Sequence, residues 1–146
     1  MTFLSAQQPA MVLVDDDHHS ARLLTRMIEA HGGPTVNRFS DSAAAFDFLV
    51  EASMRPGTEI PCLAVVDLKS TSTATRDFIA RLKFEAPDLT VIAMSPTLDR
   101  DTRNGLLNAG AAAVFERHSN IDLYRREAAN IVSFWVRNQR LDAVGT

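Results

Sequence analysis

Short, unbroken apolar runs alternate with helical patterns five times along this chain, and that alternation constrains the fold more than any single residue. The first run is Met11-Val12-Leu13-Val14, continuous as a strand buried on both faces should be. Ala21, Leu24, Met27 and Ile28 then recur at helical spacing, with Ser20 as the expected N-cap and Gly32-Gly33 as the stop. Pro34 opens a weaker strand from Thr35 to Phe39, and Asp41 or Ser42 caps a helix carrying Ala45, Phe46, Leu49 and Val50. Past a loop with Pro56 and Gly57 comes the third strand, Cys62 to Val66, ending at Asp67. Lys69 to Thr75 reads as a polar loop, and Phe78, Ile79 and Leu82 mark a third helix that stops before Pro87. Leu89 to Met94, Asp99 to Ala109, Ala111 to Phe115 and Asn120 to about Leu141 complete the series as strand, helix, strand and helix. Apolar strands joined by helical crossovers make a parallel sheet covered on both faces.

Composition narrows the class. A chain of 146 residues, 46% apolar and 23% charged, suits one domain that buries roughly two-thirds of its unfolded surface. That domain is expected to span 10–141, with short tails at 1–9 and 142–146 and no DNA-binding module. The single cysteine, Cys62, excludes an internal disulfide framework and a cysteine-based zinc site. It reads as a small core residue. No apolar run reaches the roughly 18 residues of a membrane span, and the N-terminus lacks a basic segment followed by an apolar one. The expectation is a cytoplasmic protein without membrane contact. With a net charge of −3, no global field favours nucleic acid.

The informative residues are acidic. Parallel α/β sheets bind ligands outside the carboxyl ends of their strands. There the first strand ends in Asp15-Asp16-Asp17 and the third in Asp67. Carboxylates that converge repel by roughly 1–4 kcal/mol per pair at 4 Å. Either they are solvated loop acids and a helix cap, or they hold a hard cation such as Mg²⁺. Asp67 follows an apolar strand, so the sheet fixes its backbone while its carboxylate projects into the cleft. A carboxylate so placed can attack phosphorus when a cation neutralises the phosphoryl oxygens.

VLVDDD in the first strand, VVD at the end of the third, Ser95 at the end of the fourth and Ala109-Gly110-Ala111 before the fifth resemble the response-regulator receiver domain. The resemblance covers about residues 10–135. It implies a flavodoxin-like (βα)5 sandwich with a five-stranded parallel sheet in the order 2-1-3-4-5. It implies that Asp15 and Asp16 hold Mg²⁺ with Asp67 and the backbone carbonyl of Lys69, that Asp67 is the phosphoacceptor, and that the Ser95 hydroxyl bonds the new phosphoryl group. It also implies a histidine kinase or phosphotransfer protein as donor, and output through the face of the fourth helix, fifth strand and fifth helix. Such a domain catalyses only its own phosphorylation and dephosphorylation.

The sequence departs from the family pattern in several places. Arg117 stands where the family has a Lys at the end of the fifth strand, a planar fork in place of a point charge. His118 replaces the Pro that follows, and a cis bond before a non-proline costs about 2.5–4 kcal/mol, so this bond is expected to be trans. Pro96 removes a backbone N–H beside the phosphoryl site. Ser70, Thr71 and Thr75 replace the Met-Pro and Gly of the loop after the acceptor, so a looser loop is expected. The aromatic switch position is Val114, and Phe115 points to the other face of the sheet.

Elsewhere the simplest readings are structural. His18 and His19 follow the acidic run and could extend a metal site, but adjacent residues at a helix start point apart, and exposed positions are expected. The Ser/Thr density at 70–75 does not mark a flavin phosphate loop, which would follow the first strand. Ile121, Tyr124, Ala128, Ile131 and Trp135 form a core stripe on the last helix, with Phe134, Val132 and Val136 widening it enough for a homodimer or partner contact. Arg125, Arg126, Arg137 and Arg140 read as a solvated face. Three functions compete: a stand-alone receiver in a two-component phosphorelay; a degenerate pseudo-receiver acting as a phosphorylation-independent protein-interaction module; and an aspartyl-phosphate phosphohydrolase of the haloacid-dehalogenase type. The last would need an acid two residues after the nucleophile, where this chain has Lys69.

Overall fold

The computed structural model describes residues 11–54 and 63–145, with side chains of the last helix through 138. Its elements run β1 (Met11–Asp15), α1 (His18–Ala30), β2 (Val36–Phe39), α2 (Ser42–Met54), β3 (Leu63–Asp67), α3 (Ala74–Glu85), β4 (Val91–Ser95), α4 (Arg100–Ala109), β5 (Ala113–Glu116) and α5 (Ile121–Gly145). The strands form one parallel sheet in the order β2-β1-β3-β4-β5. This is the expected doubly wound α/β sandwich. Cys62 and residues 1–9 lie outside the described residues.

Side-chain alternation along the strands divides the core in two. Val12, Val14, Ala64, Val66, Val91 and Ala93 face one way and pack under Leu49 of α2, Ile79 and Leu82 of α3 and Leu106 of α4. Met11, Leu13, Leu63, Val65, Ile92 and Met94 face the other way and meet Leu24 and Ile28 of α1 and Ala128 and Ile131 of α5. Each fully buried Leu, Ile or Val contributes roughly 1.5–3 kcal/mol, so both layers hold the sheet. As expected from the pleat, Val114 joins the first layer and Phe115 the second, where it meets Phe134 edge-on at 6.2 Å.

Local differences from the expected pattern have physical causes. The N-cap of α1 is Asp17, which accepts from the His19 N–H, whereas the Ser20 hydroxyl donates to Asp15 Oδ2 at 2.8 Å. Asp41 caps α2 by accepting from the Ala43 N–H, and Asn120 caps α5 by accepting from the Asp122 and Leu123 N–H groups. Ala74 and Thr75 belong to α3, not to the loop before it. The helix runs on to Gly145, past the expected end near Leu141. On α5, Tyr124, Ala128, Ile131 and Val132 are buried, whereas Ile121 is 46% exposed. Ile121 is the first residue of the helix, and the expected core stripe begins at Tyr124 and ends at a half-buried Trp135.

Gly110 closes α4 at φ +125, a conformation that favours glycine, and a Cβ there would lie 2.6 Å from Lys83 Cγ. That double requirement accounts for the glycine at the turn into β5.

Candidate functional site

The parallel register sets Asp15 of β1 directly beside Asp67 of β3 at the carboxyl edge of the sheet. Both alternate onto the face covered by α1 and α5, and both are buried. Two neighbouring carboxylates in an apolar setting need cations, and the structure supplies two. Arg117, just past the end of β5, donates from a terminal nitrogen to Asp67 Oδ1 at 2.6 Å. Lys69 Nζ lies 2.6 Å from Asp15 Oδ1 and 3.2 Å from Asp67 Oδ2, and donates to the Asp67 carbonyl at 3.2 Å.

The remaining contacts hold this arrangement in place. Asp15 Oδ1 accepts from the Asp17 N–H, and the Asp15 carbonyl accepts two bonds from the Arg38 guanidinium on β2, at 3.1 and 2.9 Å. Asp16, exposed, turns both carboxylate oxygens to the Lys69 backbone N–H at 3.0 and 3.1 Å. Thr75 Oγ1 accepts from the Leu68 N–H at 2.9 Å and lies 3.2 Å from the Leu68 carbonyl. The loop after Asp67 is therefore pinned to the first turn of α3, where the missing Met-Pro and Gly led us to expect a looser segment. The Ser95 hydroxyl donates to the Thr97 carbonyl at 2.7 Å, within its own loop, and the Ser95 carbonyl accepts from the Arg117 N–H. Among the described residues all peptide bonds are trans, including that between Arg117 and His118.

Burial pushes the Asp67 carboxyl above its ordinary range; Lys69 and Arg117 pull it back, and Asp15 adds to the rise. Among the described residues Asp67 Oδ2 has no aligned hydrogen bond, and the Lys69 ammonium stands at ion-pair distance from it. The buried Tyr124 hydroxyl also lacks a hydrogen-bond partner among the described residues. Burial first, then the charges of Asp67 and Asp15, raise that hydroxyl well above its usual pKa. A cleft of about 580 Å³ is lined by Lys69, Thr75, Ser95, Thr97, Arg117, Met94 and Leu106, and Lys69 and Arg117 link it to the acids.

Of the residues singled out from the sequence, the structure joins Asp15, Asp67, Lys69 and Arg117 by direct contact and sets Ser95 on the same cleft. Asp16 is tied to them through the Lys69 backbone. His18 and His19 are exposed, with His18 Nδ1 3.2 Å from an Arg38 nitrogen. Arg125, Arg126 and Arg137 are exposed as expected. Sequence reasoning assigned no part to the Lys69 ammonium, to Arg38 or to the Tyr124 hydroxyl. Lys69 could have been found from strand alternation, since two residues past Asp67 lies the same side of the sheet.

The structure agrees with solved receiver domains. It superposes on a response-regulator receiver domain from Rhodospirillum rubrum with a TM-score of 0.71 at 20% identity, covering 86% of this chain and 92% of that one. It has the fold of a receiver domain. The receiver fold also matches the phosphorylated cyanobacterial phytochrome response regulator RcpA (TM-score 0.70, 19% identity, 86% and 92% covered). The Mn²⁺-bound form of the response regulator Rcp1 matches likewise (0.69, 19%, 86% and 92%). No protein-family model and no curated protein sequence matches the chain.

Whether this receiver fold could hold a divalent cation is tested by its oxygens. Asp15 and Asp67 are hard carboxylate donors, and Asp67 Oδ2 is buried with no aligned hydrogen bond among the described residues, so the donor chemistry fits Mg²⁺ in kind. The Lys69 ammonium already touches those oxygens, and Asp16 is engaged with the Lys69 N–H. Among the described residues no three His, Cys, Asp or Glu side chains stand together at metal-holding spacing, and no helix is long and apolar enough to cross a membrane.

Proposed function

We propose that the chain is a receiver module of a two-component phosphorelay in the cytoplasm, and that Asp67 takes the phosphoryl group from a phosphohistidine of a histidine kinase or phosphotransfer protein. The observation that carries this reading is the setting of Asp67, a buried carboxylate at the end of a central strand between two cations, beside a cleft lined by Ser95 and Arg117. A carboxylate oxygen of Asp67 forms the new bond to phosphorus as the P–N bond of the donor breaks. The bonding pair stays with the imidazole, which then takes a proton from solvent. Lys69 and Arg117 offset the charge carried by the phosphoryl oxygens. The Ser95 hydroxyl must leave the Thr97 carbonyl to reach the product, and Pro96 contributes no N–H. Asp15, Asp16, Asp67 and the Lys69 carbonyl are the groups that would hold Mg²⁺, which when bound neutralises phosphoryl oxygens.

Two neighbours in fold support the reading: RcpA is described in its phosphorylated form and Rcp1 with Mn²⁺ bound. The chemistry extends no further than the domain's own phosphorylation and dephosphorylation. Output runs by protein contact through the α4-β5-α5 face, to a downstream protein or to a second copy of the chain. The pseudo-receiver reading has one observation in its favour: Lys69 and Arg117 already flank both Asp67 oxygens. Incubation with Mg²⁺ and acetyl phosphate followed by intact-mass measurement separates the two. A phosphoryl adduct on the wild type that Asp67→Asn loses is the expected result; folded protein with no adduct decides for the interaction module.

A further inference from the structure

We propose that the Lys69 ammonium is a built-in counter-ion seated between Asp15 and Asp67, so that a divalent cation enters only by displacing it. The inference deepens the receiver reading at the same site and rests on it only for the place where a metal would bind. Three oxygens from β1 and β3 surround Nζ: Asp15 Oδ1 at 2.6 Å, and Asp67 Oδ2 and the Asp67 carbonyl each at 3.2 Å. Mg²⁺ draws its oxygens to about 2.0–2.1 Å, so an ammonium and a metal cannot share these atoms. The tether is short and anchored, because Asp16 grips the Lys69 backbone N–H with both carboxylate oxygens. For Asp16 to turn an oxygen to a metal it must give up half of that grip.

A second observation, at Asp67 itself, points to a cation. Asp67 is wholly buried, and its Oδ2 is met by the Lys69 ammonium at 3.2 Å, looser than the 2.6 Å contact to Asp15 Oδ1 and with no aligned hydrogen bond among the described residues. The ammonium lies within 3.2 Å yet aligns on the neighbouring carbonyl instead. It is a serviceable but imperfect substitute, carrying one charge where the carboxylates present two. Lys69 also has an exit, since its side chain is 22% exposed and lines the open cleft beside Thr75 and Arg117.

The test is Mn²⁺ binding, followed by electron paramagnetic resonance of the free ion, with no phosphoryl donor present. Lys69→Met is expected to bind Mn²⁺ about ten-fold more tightly than the wild type, the order set by no longer breaking one charge-assisted hydrogen bond. Adding Asp15→Asn to that variant is expected to remove the gain. Should Lys69→Met fold poorly without metal, Lys69→Gln carries the comparison, and Mn²⁺ should raise the Tm of either variant more than that of the wild type. Equal affinities in wild type and variants, or no Mn²⁺ binding in any of them, would overturn the proposal. Neither result bears on whether Asp67 accepts phosphate, which the mass adduct reads separately.

Discussion

At Asp67, burial and neighbouring charge act against each other on one carboxyl. Burial outweighs Lys69 and Arg117, so the folded chain holds this proton at a higher pH than the unfolded chain does. Between the unfolded and the folded pKa the native state binds more protons, and stability falls as pH rises through that window. Above both values the ionised, buried carboxylate is a standing cost. In metal-free buffer Asp67→Asn is therefore expected to melt above the wild type at pH 7. The gap should narrow as pH drops toward about 4, where ordinary carboxylates protonate. Melting curves across that range check it; a gap that holds or widens on acidification would mean that the cations win. Tyr124 allows a cleaner test. Among the described residues its buried hydroxyl has no hydrogen-bond partner, so Tyr124→Phe is expected to raise stability by about 1 kcal/mol in chemical denaturation. A loss of stability would place a partner on that oxygen.

Among the elements, the loop from β3 to α3 matters most, because it carries Lys69. Thr75 ties it down from the first turn of α3, through the Leu68 N–H. Thr75→Val keeps the shape and removes the acceptor, so it should cost about 1 kcal/mol and speed hydrogen exchange at the Leu68 amide. Unchanged exchange there would show that the loop is held by something else. This clip was not legible in the sequence, where Thr75 reads as one of several polar loop residues. Its role depends on which way a helix start faces a strand end, a tertiary matter. The strands were legible because each is an apolar run long enough to be buried on both faces. The helix ends differ by a residue or two, because capping geometry sets them: the sequence reads Ser20 as the cap of α1, whereas Asp17 caps it and Asp15 claims the Ser20 hydroxyl.

For the molecule as a whole, the order of strands decides which carboxyl ends meet. Placing β1 beside β3 sets Asp15 against Asp67 and leaves β4 and β5 to bring Ser95 and Arg117 to the same edge. The positions of these residues at strand ends were readable from the chain. The hydrogen bonds of each were not: the sequence offers Lys69 as a backbone carbonyl, and the structure sets its ammonium on the acids. A side chain with four rotatable bonds takes its direction from local charge, which one-dimensional spacing does not record.

The central claim is that Asp67 carries the phosphoryl group. After incubation with acetyl phosphate and Mg²⁺, borohydride reduces an acyl phosphate to an alcohol and so converts the acceptor Asp into homoserine, which peptide mass mapping locates. Homoserine at position 67 alone, absent without phosphoryl donor, is the predicted result. Homoserine at 15 or 16, or at no position in folded protein, would contradict it.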